Sequence, residues 1–109
     1  MSINVNDLLG DMLEAAKGVL SDKWPEIKDY AETELKGIAE GIVLVEKLHL
    51  ANAVTDEQAK LLFEMKKNTA KIVLLSIEGL GILAVEQAIN AALDVVRDAV
   101  NGALDFTLI

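Results

Sequence analysis

The chain has 109 residues, no cysteine and a formal net charge of −8. That length suits one domain with its own core, and the lack of cysteine removes disulfides, thiol catalysis and thiolate metal sites. The acidic balance repels phosphate, which argues against nucleic acid and against anionic membrane surfaces as partners.

Apolar residues make up 52% of the chain but aromatics only 4%, and proline occurs once, at Pro25. The apolar content is therefore mostly Ala, Leu, Ile and Val. With Ala and Leu so common and proline so rare, the expectation is an all-α protein. The opening stretch MSINVNDLLGDMLEAAKG has acids where an export signal needs a basic segment. Together with the absence of cysteine this predicts a cytoplasmic protein.

The first predicted helix covers about 6–22. Leu8, Leu9, Met12, Leu13, Ala16, Val19 and Leu20 recur at helical spacing. Asn6 is the candidate N-cap, and Asp7 and Asp11 suit the positive end of the helix dipole. Pro25, which has no N–H to donate, opens a second helix over about 25–52. There Ile27, Ala31, Ile38, Ile42, Val45 and His49 share one side, opposite most of the charges. Gly37 and Gly41 weaken this helix but let a neighbouring backbone approach.

The stretch NAVTDEQAK is the clearest punctuation. Thr55 followed by Gln58 fits a capping box, with Val54 placed to staple onto Ala59. No proline follows, so a third helix is expected over about 56–104, roughly 75 Å long at about 1.5 Å per residue. Its middle, Ile72 to Val85, is apolar on every side except for Glu78. A helix apolar all round is buried all round, and two neighbours in one chain hardly cover it. The expected architecture is therefore a helical hairpin with a very long C-terminal helix and a short N-terminal one, assembling as a homo-oligomer, a dimer first of all. Ile72, Leu75, Leu80, Gly81, Ala84, Ala88 and Ala92 would form the interface, the small residues allowing close approach. The alternative breaks the helix near Gly79–Gly81 to give a monomeric four-helix bundle. Two helical glycines cost about 1 kcal/mol each against Ala, but no Ser, Thr, Asp or Asn follows to cap a new helix.

Two polar groupings stand out. In a hairpin centred near residue 53 or 54, facing residues have numbers adding to about 107, which sets Glu78 opposite Lys28 to Tyr30. A buried charge must be paired, so Glu78, Lys28 and Tyr30 are the expected polar group fixing helix register. The second grouping is VEKLH. Glu46 and His49, three apart, share a helix face, and Glu64 lies close to Glu46 by the same rule. Carboxylates and a neutral imidazole are suitable ligands for iron, manganese or zinc. The Glu-x-x-His spacing is similar to that of ferritin-like di-metal carboxylate bundles. That resemblance covers three residues and a hairpin, and implies half of a di-metal site. His49 is the only histidine, so a two-fold partner would supply the rest. The simpler reading pairs Glu46 with Lys60 and Glu64 with Lys67, and leaves His49 at the turn near Gln58.

Ser76 has no histidine near it, and Gly79 and Gly81 sit in helical pattern rather than after a strand, so neither Ser–His catalysis nor a phosphate loop is supported. The sequence points to a small, acidic, self-associating helical protein with a structural or protein-interaction role, non-enzymatic and without cofactor. Its rivals are the metal-binding half-bundle and a membrane-active protein inserting residues 72–85, a segment too short and too charged to span a bilayer by itself.

Overall fold

The computed structural model describes residues 3–77 and 79–109. Four α-helices follow one another: α1, Val5–Leu20; α2, Trp24–Leu50; α3, Asp56–Leu75; and α4, Ile82–Leu104. A single 3-10 turn, Ser21–Lys23, joins α1 to α2. The described residues contain no strand, as the composition predicts.

The cap of α1 sits earlier than expected. Asn4, not Asn6, is the N-cap, and its Oδ1 accepts the N–H groups of Asn6 (2.8 Å) and Asp7 (3.3 Å). An N-cap must stand outside the helix with extended backbone, and Asn4 does so at φ −111°, ψ 129°. The α2–α3 connection follows the sequence closely. The Gln58 N–H donates to Thr55 Oγ1 at 3.1 Å, and the Thr55 N–H donates to Gln58 Oε1 at 2.9 Å. This is the reciprocal capping box.

The long third helix is corrected. α3 ends at Leu75 and the chain reverses before α4, at the place where the alternative put the break. Ser76 Oγ donates to the Val73 carbonyl, and the Ser76 N–H lies within bonding distance of the Ile72 and Val73 carbonyls. Gly79 then adopts φ +90°, a backbone region that L side chains rarely enter. Gly81, extended and without a side-chain cap, precedes Ile82, and its carbonyl accepts the Val85 N–H. Energetics explain why capping arguments fail here. A missing cap costs about 1 kcal/mol. Turning back lets α4 bury Val85, Ile89, Leu93, Val96, Val100 and Leu104, each worth about 1.5–3 kcal/mol when removed from water.

The core is one cluster shared by all four helices. Met12, Ile27, Leu35, Ile38, Ile42, Ile89 and Val96 are among its fully buried side chains. α1 packs chiefly on α4 and also on α2, α2 packs on α3, and α3 meets α4 over a shorter stretch. The whole measures 42 × 22 × 18 Å. Residues 105–109 dock rather than fray. Asn101 Oδ1 accepts the N–H groups of Leu108 (2.8 Å) and Ile109 (3.1 Å), and Leu108 is buried.

Candidate functional site: the turn cluster and the outer face of α3

At the α2–α3 turn the structure gives each expected metal ligand a different partner. Glu46 is the one buried charged residue among those described, at 4% exposure. Both of its carboxylate oxygens lie 3.1 Å from the Ile3 N–H, which donates to them. A buried carboxylate needs such a donor, and here the N-terminal segment supplies it. His49 Nε2 lies 3.1 Å from Asp56 Oδ1, and its ring rests on Phe106 with centroids 4.8 Å apart. Glu64 is exposed and reaches only Lys67, at 4.0 Å on its own helix. The Glu46–His49–Glu64 half-site is therefore not assembled. No group of three His, Asp or Glu among the described residues could hold a metal ion. Residues three apart share a helix face, but each of these side chains is drawn to a nearer donor or acceptor. Lys60 is likewise not the partner of Glu46, whereas the Glu64–Lys67 pairing and the placement of His49 at the turn match the simpler reading.

Glu78 lies outside the described residues. Its expected partners Lys28 and Tyr30 are both exposed, Tyr30 at 57%. The hairpin register itself holds. A side chain on Gly41 would meet Lys66 Cγ at 2.8 Å, and these two numbers add to the predicted 107. α2 and α3 approach closely at that glycine.

The expected interface residues divide. Ala88 and Ala92 are buried in the chain's own core, at 3% and 0%. This is a second correction. Because the chain turns back before α4, Ala88 and Ala92 fall within the chain's own core on a helix whose main neighbour is α1. Leu75, Leu80 and Ala84 are half-buried, while Ile72 and Gly81 are exposed.

The residues left outward on α3 form a pattern that periodicity did not single out. Its core side is Ala59, Phe63, Ala70 and Leu74. On the opposite side lie Leu61 (63% exposed), Met65 (59%) and Ile72 (68%). Asn68, also exposed, falls between the last two. Leu61, Met65, Asn68, Ile72 and the half-buried Leu75 are spaced four, three, four and three, the spacing of a coiled-coil seam. The signal was present in the sequence, but the long-helix reading assigned α3 a seam further along.

Charge sets α3 apart as well. Lys60, Lys66, Lys67 and Lys71 outnumber Asp56, Glu57 and Glu64, which makes it the one net-positive helix in an acidic chain. Lys71 meets Glu86 of α4 at 2.8 Å. An open polar cleft of about 290 Å³ lies beside that ion pair, between α3 and α4, with Ile89 in its wall. No helix among the described residues is long and apolar enough to cross a membrane. No protein-family model, curated protein or solved structure matches this chain.

Proposed function

We propose that this is a small acidic self-associating helical protein with a structural or protein-interaction role, and that the outer face of α3 is its contact surface. One observation carries the reading. After the core is filled, Leu61, Met65 and Ile72 remain exposed on one seam of one helix. Single exposed apolar side chains are ordinary, but an aligned set is what an interaction surface presents. The charge of α3 taken as a whole is compatible with such a contact, with Lys66 lying on its α2 side near Gly41. Two copies of a chain with net charge −8 repel one another over most of their area. The repulsion is least where the local charge is not negative. Burial of the seam would then provide the driving force.

The test is sedimentation equilibrium together with native mass spectrometry. Wild type is expected to form a dimer or larger assembly. Leu61→Glu and Ile72→Glu are expected to be monomeric with unchanged helix content, because neither position belongs to the core. A wild type that stays monomeric up to its highest soluble concentration removes the proposal.

A further inference from the structure

The charges of α3 are not evenly spread. Asp56, Glu57 and Glu64 lie in its first half together with Lys60, and Lys66, Lys67 and Lys71 lie in its second half. In a parallel pair of such helices Glu64 and Lys71, which share one flank of the seam, would not face each other. Reversing one of them lets Glu64 meet Lys71, while Asp56 and Glu57 extend past the end of the other α3 and Lys66 and Lys67 lie near the two-fold axis, and the helix dipoles also oppose favourably. The seam is self-complementary in the same sense. With Met65 opposite Asn68 of a second copy, Leu61 falls opposite that copy's Ile72, and Ile72 opposite its Leu61. Glu64 and Lys71 each immediately precede an apolar seam residue, so both sit on the same flank. In this register Glu64 of one chain lies beside Lys71 of the other, twice over. Flanking pairs of this kind set partner choice and orientation in helix pairs. Lys71 keeps about a third of its side chain exposed while meeting Glu86 (34%), and Glu64 keeps about half (52%).

We infer that the occupant of the α3 seam is α3 of a second copy, in antiparallel orientation about a two-fold axis that places Glu64 beside Lys71 of the other chain. The inference rests on the proposed self-association and adds its geometry. A two-fold contact is closed, so assembly through it stops at a dimer. Asn68 sits within the seam, where a polar side chain fixes register at some expense of stability.

The chain has no cysteine, so single-cysteine variants report the geometry directly. Leu61→Cys and Ile72→Cys are purified separately, mixed in equal amounts and mildly oxidised. The antiparallel pair predicts a mixed 61–72 disulfide as the main product, with little linking of like with like. Self-linked 61–61 and 72–72 species would mean a parallel seam, which overturns this inference and leaves self-association standing. An assembly by sedimentation without either kind of link also overturns it, and indicates a heterologous contact such as α3 against the acidic α2. A monomeric wild type removes both proposals. Charge reversal gives an independent reading. Glu64→Lys is expected to raise the dimer Kd about tenfold, since two pairs are lost and made repulsive. Adding Lys71→Glu together with Glu86→Lys, which keeps the ion pair between α3 and α4 with its signs exchanged, restores the dimer, because positions 64 and 71 are too far apart to pair within one helix. Failure of this compensated variant to recover counts against the register.

Discussion

α3 and α4 are of similar length, 20 and 23 residues, yet they commit their apolar residues differently. α4 turns eight residues into the core, whereas α3 turns in four, two of them alanine. The large anchors of α3 are Phe63 and Leu74; both helices leave large apolar side chains exposed, Leu61, Met65 and Ile72 on α3 and Ile82, Leu83 and Val95 on α4, but only those of α3 fall at seam spacing. Helical propensity does not separate the two. What separates them is how many neighbours each has: α4 lies along α1 and also meets α2 and α3, while α3 is held mainly by α2 and meets only α4 besides. A helix with one close neighbour has a free side, and here that side carries a seam. On the proposed reading interaction falls to α3, whereas α4 supplies more of the core.

The largest effect should come from the anchors. Phe63→Ala, on α3, is expected to cost about 3–5 kcal/mol, and Ile89→Ala, on α4, about 2–5 kcal/mol. Both are read from urea unfolding. If α3 depends on one aromatic, Phe63→Ala should also release α3 selectively, seen as loss of amide protection over 56–75 while α4 stays protected. Uniform loss of protection across both helices would show that α3 is as firmly integrated as α4, and the contrast would fail.

Asn101→Ala is expected to cost about 1–2 kcal/mol, because it leaves the N–H groups of Leu108 and Ile109 without their acceptor. Limited proteolysis should then cut within residues 105–109. Thr55→Ala removes the hydroxyl half of the α3 capping box, at about 1 kcal/mol. It should speed amide exchange in the first turn of α3 before any other part of the molecule. Ile72→Glu should change monomer stability by no more than about 0.5 kcal/mol, as for other surface positions, while abolishing association. A large stability loss at Ile72 would mean that the seam belongs to the core and that the two helices are alike after all.

Much of the local structure was legible in residue order. The capping box at Thr55 and Gln58, the start of α2 within one residue of Pro25 and the α2–α3 register all follow from short-range chemistry. Such signals survive because the atoms concerned are within a turn or two of each other. The polar clusters were less legible. Glu46 and His49 share a helix face as their spacing requires, but Ile3 and Asp56 take up their hydrogen-bonding capacity. Ile3 is 43 positions from Glu46, a contact for which no local pattern gives warning.

By itself the sequence determined that this chain is helical, where α2 starts, how α3 is capped and how α2 faces α3. Those outcomes depend on propensity, on caps and on the hydrophobic repeat, which are properties of neighbouring residues. Only the tertiary structure decided that α3 and α4 are two helices. The segment 76–81 offers both a poor helix and a poor cap, and local terms of about 1 kcal/mol on either side nearly cancel. Burial of α4 against α1 is several times larger, so it settled the turn. In doing so it moved Ala88 and Ala92 into the core and left Leu61, Met65 and Ile72 facing water.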